Sequence, residues 1–437
     1  MYCEDLVRDL TERLEKLTIH EVRQVAREVK SHVTSGQKGQ IIEAVLSLAK
    51  AEIEPAPLSN RGAPPKSDKY DEQLVRDILK CREHFLAEKY SGGQNRKTGV
   101  ADVAAAYSEQ SEKEYTGFLG ADGANCFLFG EETVYVSDLF VKKYGLRTGD
   151  KIIGTGRKSN SADFAGLTCV KSVNGKSVTS LSDRKNYSSF TRIYPSERIV
   201  TGVKGNIACR MADLFTPLAF GQRALVFASA NSGKTTLIKS IALGICAKYR
   251  DLKLICVMLG ARPEEVTEFK RQFPFAEIFH TTFDMYEDRH ELCASLAFGY
   301  AERLLELGEN AIVIADGLYE NLPFDKLKKY LYKACDTEEG ASLTVIAALP
   351  EEACALANIA NTAICLSSSL AAARVFPSID ILKSYTGREE VYLNGEELSL
   401  SRGLRAKIAE GLPHKEVVKL FENTENNTQL INKIKNG

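Results

Sequence analysis

Ala228–Ser229–Ala230–Asn231–Ser232–Gly233–Lys234–Thr235 lies between an apolar run, Ala224–Leu225–Val226–Phe227, and Thr236–Leu237–Ile238–Lys239, which opens a segment of helical periodicity. Strand, glycine turn and helix in that order form the setting in which Gly-Lys-Thr reads as a phosphate-binding loop. Backbone N–H groups of the turn and the positive end of the helix dipole surround an anion. The nucleotide-binding residues are then Ser229, Ala230, Asn231, Ser232, Gly233, Lys234, Thr235 and Thr236. Lys234 reaches the β- and γ-phosphates, the Thr235 hydroxyl ligates Mg²⁺, and Gly233 allows backbone to approach phosphate closely. Ala228 stands where the strict pattern has glycine.

Further apolar runs at Leu254–Leu259, Ala311–Ala315 and Leu343–Ala348 alternate with helical segments, so the chain from about Gly202 onward reads as α/β with a mostly parallel sheet. The run Asn310–Ala315 ends in Asp316, a carboxylate at a strand terminus downstream of the loop. Such an Asp holds the Mg²⁺ water shell in P-loop enzymes, so Thr235 and Asp316 are the candidate metal residues. The segment after Leu393 is polar and helical.

Upstream, residues 115–182 read as a small antiparallel barrel, with Thr133–Val136, Lys151–Ile153 and Leu167–Val170 separated by Gly, Asn and Asp turns. Phe127 and Tyr135 are candidate platforms for single-stranded bases, with Lys142, Lys143, Arg147 and Arg157 for phosphate. The same two aromatics also fit a barrel core. Residues 1–53 read as a helical unit, with Leu6, Leu10 and Leu14 on one stripe and Val22, Val25, Ala26 and Val29 on another. The Ser35–Lys38–Gly39 turn leads into Ile41, Ile42, Val45 and Leu48, an arrangement similar to a SAP-like nucleic-acid-contacting unit or a plain helical hairpin. Residues 54–114 are a Pro-, Ser- and Gly-bearing linker with a helix at Asp71–Lys89, expected to be mobile, and 183–200 connect barrel to motor.

The 437 residues carry a net charge of −1, so nucleic-acid binding has to come from local patches. Eleven cysteines contain no CxxC pair and read as buried, reduced thiols of a cytoplasmic protein. No signal peptide or membrane span is expected.

Several blocks together resemble the bacterial transcription termination factor Rho family. They are Tyr135–Val136–Ser137 with Leu146–Arg147–Thr148–Gly149–Asp150, Tyr194–Pro195–Ser196–Glu197–Arg198, Gly221–Gln222–Arg223, the phosphate loop, Arg262–Glu268, Arg289–His290 and Arg374–Asp380. The resemblance implies an OB or cold-shock-like RNA-binding barrel (residues 115–182) and a RecA-type ATP-binding motor (residues 201–437). It further implies a hexameric ring that binds RNA and acts on the RNA polymerase complex, with ATP and Mg²⁺ as cofactors. Phe376 takes the place of the aromatic that stacks on adenine, Arg374 that of a motor arginine, and Arg147 joins the RNA-binding set.

The same resemblance locates departures. Ala261 stands where the family has the Glu that activates water, and losing a general base costs roughly 10²–10⁴-fold. Glu264 and Glu265 follow it. The arginine-finger slot is Gly387, with Arg388 next to it. Gly317–Glu339 is too short for the family's pore loop, and Glu351–Leu370 holds no Lys, Arg or Gly for the second. In the barrel one aromatic is missing before Phe127, Phe129 replaces an arginine, and a stacking Tyr aligns with Asp163. Three functions stay open: an active RNA-dependent ATPase and helicase, an ATP-binding member with impaired hydrolysis and translocation, and a non-catalytic RNA- or polymerase-binding regulator. Sites shared between subunits also allow mixed assembly with an intact homologue.

Overall fold

The computed structural model describes residues 2–29, 37–50, 74–75, 77–78, 112–123, 125–158, 164–177 and 184–435. The linker, most of the Asp71–Lys89 segment and Asp163 lie outside them. The chain divides into two compact units, Met1–Glu109 and Gln110–Gly437.

In the first unit the expected hairpin is a three-helix packing: α1 (Tyr2–Lys16), α2 (Ile19–Glu28) and α3 (Lys38–Ala49). Leu10, Leu14, Val22, Val25, Val29, Ile41, Val45 and Leu48 form its core, as their spacing predicts, and Leu74 and Ile78 complete it. Arg13 reaches Asp77 at 2.8 Å, tying the first helix to the Leu74–Ile78 turns.

The second unit opens with a five-stranded barrel of β1 (Lys113–Asp122), β2 (Asn125–Gly130), β3 (Val134–Val136), β4 (Lys151–Arg157) and β5 (Ala165–Val173), extended by β6 (Lys176–Ser177). The ladders are antiparallel except for the closing β3–β5 pair, which is parallel. Alternate residues of β4 point inward, where Ile152 packs with Leu119, Leu128, Val134, Val136 and Val173. Helix α4 (Asp138–Tyr144) bridges β3 and β4.

After short strands β7 (Arg192–Ile193), β8 (Arg198–Ile199) and β9 (Leu218–Ala219), with helix α5 (Ile207–Phe215) before β9, comes the motor sheet. Its strands are β10 (Arg223–Phe227), β11 (Lys253–Ala261), β12 (Glu277–Thr282), β13 (Ala311–Asp316), β14 (Cys335–Thr337), β15 (Ser342–Leu349), β16 (Thr362–Cys365) and β17 (Tyr385–Thr386). The order is β12-β11-β13-β15-β10-β16-β17, all parallel up to β16. Unbroken apolar runs make these strands because both faces are covered. Ala224 and Val226 of β10 enter one core and Leu225 and Phe227 the other.

On one face lie α5, α6 (Lys234–Lys248) and α7 (Pro263–Gln272), together with C-terminal helices at Gly395–Ala409, His414–Glu422 and Asn427–Lys435. That polar-looking terminus places Leu404, Val417, Phe421 and Leu430 in the core. On the other face lie α8 (Glu287–Glu306), α9 (Leu318–Asn321) and α10 (Phe324–Leu331). Among the described residues no helix is long and apolar enough to cross a membrane.

The barrel seats on α8. Phe118 of β1 meets Phe279 and Tyr300 at ring centroids of 4.5 and 5.0 Å. Gly149 faces Gly299 so closely that a Cβ on Gly149 would sit 2.1 Å from the Gly299 carbonyl carbon. Beneath them Glu306, with a fully buried side chain, accepts from Arg147 at 2.8 Å and Arg303 at 2.9 Å. Arg184 bridges Glu306 to the buried Asp150.

The cysteine expectation needs a correction. Cys209, Cys256, Cys293 and Cys335 are buried, and burial pushes the first three thiols up to about 12, but Cys169 and Cys354 are exposed.

Candidate nucleotide site and aromatic barrel face

Strand β10 ends in the centre of the sheet and delivers the loop to its C-terminal edge, where ligands of open α/β sheets bind. The loop turns through two left-handed residues, Asn231 (φ 60°) and Gly233 (φ 90°), which aim successive N–H groups into one concavity. Asn tolerates that conformation better than most side chains, and Gly233 pays no steric penalty there. Below the loop the Ser232 hydroxyl donates to the Ser229 carbonyl at 2.6 Å, and Ser378 donates to the Ser232 carbonyl.

The resulting cavity measures about 670 Å³ and is lined by Ser229, Ala230, Asn231, Gly233, Lys234, Thr235, Thr236 and Phe376, with Glu320, Pro350 and Glu352. Lys234 Nζ stands 3.0 Å from Asp316 Oδ1, so the loop lysine and the strand-end carboxylate lie side by side. Phe376, 47% exposed, flanks an apolar cleft of about 250 Å³ with Ile207, Ala208, Leu366 and Pro377. A flat apolar slot beside a phosphate cradle has the shape of a base subsite.

A second cavity of about 330 Å³ continues from the phosphate side, lined by Lys234, Thr235, Asp316, Ala261, Glu265, Glu320 and Asn321 among others. Strand β11 bulges at Gly260 (φ 61°), and the buried Ala261 presents only a methyl group there. Glu265 faces this cavity, while its carboxylate accepts from the Arg262 N–H at 3.3 Å. Glu264 does not line either cavity. The oxygen donors of Thr235, Asp316 and Glu320 suit a hard cation such as Mg²⁺.

Arg374 (φ 57°) and Arg388 (φ 59°) are exposed and left-handed, two of the four non-glycine residues with positive φ among those described. Neither has a carboxylate partner among the described residues, and Arg388 lies 5.7 Å over the Tyr194 ring. They stand outside the phosphate cavity of their own chain.

On the barrel, Phe127 and Tyr135 are a cross-strand pair with centroids 5.8 Å apart. Neither belongs to the barrel core, and Tyr135 is 39% exposed. Phe164, 47% exposed, completes an aromatic cluster at 5.3 Å from Phe127. Phe129 instead packs toward the motor core.

Arg147, expected among the RNA-binding residues, has its guanidinium engaged by Glu306 at the junction with the motor. Arg157 is likewise paired with Glu112, at 3.0 Å. Sequence reasoning missed Phe164, one residue past the aligned Asp163, and Glu320, in the short helix that follows the strand ending at Asp316. A second carboxylate so soon after the strand-end Asp316 was the available signal for Glu320.

Residues 109–179 match the family model described as Rho termination factor, RNA-binding domain. Residues 208–323 match that of the ATP synthase alpha/beta family, nucleotide-binding domain. Transcription termination factor Rho of Rhodopirellula baltica is 31% identical over 344 residues, covering 70% of this chain and 67% of that protein. The Thermotoga maritima protein of that name is 32% identical over 61% of this chain and 70% of its own. The Bacillus subtilis protein is 29% identical over 77% and 88%. This chain spans about half of the Micrococcus luteus relative, 51%. With a Rho-type RNA-binding barrel joined to an ATP-synthase-type nucleotide domain, the chain belongs to the transcription termination factor Rho family.

Proposed function

We propose that this chain binds ATP and RNA and acts in transcription termination, with hydrolysis and translocation impaired relative to an intact family member. What carries the reading is the combination of a complete phosphate cradle with a methyl group, Ala261, where the strand end faces it. The loop N–H groups and Lys234 hold the phosphates, Phe376 stacks on the adenine, and Asp316, released from Lys234, turns to the metal side. Mg²⁺ held through Thr235 and Asp316 supplies charge neutralisation on the transferring phosphoryl group. Ala261 neither orients nor deprotonates water. In a homo-oligomeric ring, Arg388 and Arg374 of one subunit face the phosphates of the next, and mixed rings with an intact homologue are accommodated. The aromatic barrel face holds single-stranded RNA and the helical unit adds a SAP-like contact. The assembly works in the cytoplasm against the RNA polymerase complex.

A second reading has a specific observation behind it: Glu320 and Glu265 both line the cavity beside Lys234 and Thr235, so either can orient water in place of the absent side chain. Single-turnover ATP hydrolysis with and without RNA separates the two. Slow turnover by the native chain, unaffected by Glu320→Gln or Glu265→Gln, supports impairment. Rapid RNA-stimulated turnover abolished by one of those substitutions overturns it.

A further inference from the structure

Where the family has a long pore loop, this chain folds α9 and α10 directly after β13. Leu327, Tyr330 and Leu331 bury the inner side of α10. Its outer side carries Phe324 and Lys328, with Tyr332 at the cap, spaced by four so that they share one stripe. Lys328 Nζ lies 4.5 Å from the Phe324 ring centroid, and the Arg223 guanidinium lies 5.8 Å from that of Tyr332. Phe324 and Tyr332 are 46% and 48% exposed. The result is a ridge in which aromatic and cation alternate: Phe324, Lys328, Tyr332, Arg223.

The charge on this ridge is not neutralised. Lys326 and Lys333 are taken by Glu291 and Glu302, both of α8, and fasten this segment to that helix. Lys328, Lys329, Arg223 and Arg192 have no carboxylate at ion-pair distance among the described residues. Both guanidiniums are instead held by backbone and hydroxyl acceptors. Arg223 donates to the Ile359 carbonyl at 2.8 Å, and Arg192 to the Tyr332 carbonyl at 3.1 Å and the Tyr187 hydroxyl at 2.8 Å. Unpaired cations, two of them held in place by neutral acceptors, interleaved with exposed flat rings suit a ligand that offers anions and stackable faces in alternation, which is single-stranded nucleic acid. An acidic peptide would use the cations and leave the rings idle.

We propose that the Phe324–Lys328–Tyr332–Arg223 ridge of the motor is a second contact surface for single-stranded RNA, separate from the barrel. It rests on the reading that this chain binds RNA, and it gives the motor a grip without the family's pore loops. The test is fluorescence anisotropy of the full chain with a labelled 20-nucleotide oligouridylate across a salt series. Native chain is compared with Phe324→Ala/Lys328→Ala, with the surface swap Lys328→Glu, and with the barrel variant Phe127→Ala/Tyr135→Ala. Fluorescent ATP-analogue binding reports that each is folded.

Expected are a loss of about tenfold or more in RNA affinity for both ridge variants and a salt slope shallower by roughly 0.7 per cation removed. 4-Thiouridine cross-links should fall in residues 324–333. Native affinity and slope in both ridge variants, with RNA lost in the barrel variant, overturns the ridge and leaves the RNA-binding reading standing. No RNA binding by the native chain overturns both. Unchanged RNA affinity with lost binding of a polyglutamate peptide assigns the ridge to an acidic protein partner and also overturns the proposal.

Discussion

Lys234 and Asp316 hold each other 3.0 Å apart, which keeps the lysine extended toward the cavity rather than folded onto the helix. Replacing Lys234 with Ala removes charge-assisted bonds to phosphate worth about 1.5–3 kcal/mol, or roughly 10–150-fold in ATP affinity. Equilibrium titration with a fluorescent ATP analogue measures it. Phe376 acts at the other end of the nucleotide. Its replacement by Ala should weaken ATP by about 1–3 kcal/mol and leave inorganic triphosphate binding unchanged, because only the base stacks. The substitution Ala261→Glu extends a carboxylate into a cavity of about 330 Å³, large enough to receive it. Gly387 has an ordinary φ, and an added Cβ would meet only the Asn361 carbonyl at 3.5 Å. The Cβ of an arginine at position 387 is therefore sterically accepted. Ala261→Glu with Gly387→Arg should raise single-turnover hydrolysis by roughly 10²-fold or more. Native-level rates in the double variant would mean that neither departure limits turnover.

At the scale of elements, the barrel meets α8 through two facing glycines as well as through the Phe118–Tyr300 and Arg147–Glu306 contacts. Gly149 has φ 89°, and its added Cβ would collide with the Gly299 and Tyr300 backbone at 2.1 and 2.2 Å. Backbone on both sides cannot give way as a flexible side chain does, so Gly149→Ala should destabilise by about 3 kcal/mol or more. A thermal-unfolding midpoint within a degree of native would refute that packing. Gly149 appears in the sequence only as part of a family-like block, with nothing to announce its partner 150 residues away. Legibility follows this distinction throughout. Strands β10, β11, β13 and β15 were readable because burial on both faces demands an unbroken apolar run. The loop was readable because phosphate chemistry fixes its residues at short spacing. The Arg147–Glu306 pair was not readable, because a cation in a barrel reads alike whether it meets phosphate or a buried carboxylate. The C-terminal helices looked merely polar because each buries few apolar residues, such as Leu400, Leu404 and Ile408 in the first, or Leu430 and Ile431 in the last. Phe164 and the α10 ridge depend on which residues stay exposed, a property of the packed whole.

Across the whole second unit, the buried cluster around Glu306 makes barrel and motor one mechanical piece. Its carboxylate is the shared counter-charge for Arg147 from the barrel, Arg184 from the connector and Arg303 from α8, and it also accepts the Tyr187 N–H at 2.9 Å. Burial pulls the Arg303 guanidinium down from its ordinary value, aided by the Arg184 charge and opposed by Glu306, Glu302 and Asp150, so the carboxylates offset part of the cost of a cation there. Removing that one negative charge leaves three arginines facing one another, with Asp150 beside Arg184 and Glu302 beside Arg303 to offset them. Breaking a buried pair in this way costs about 3–5 kcal/mol. Glu306→Gln keeps the shape and one acceptor, so its loss isolates the charge. Calorimetry of the native chain should show barrel and motor unfolding in one transition, because neither the Phe118–Phe279–Tyr300 contact nor the ion cluster survives if either part opens. In Glu306→Gln that transition should fall in temperature or split in two, with the barrel leaving first. RNA affinity of the barrel face should persist while any stimulation of ATP turnover by RNA declines, since the signal has to cross this junction. An unshifted single transition in the variant would show that the glycine and aromatic contacts alone join the two parts.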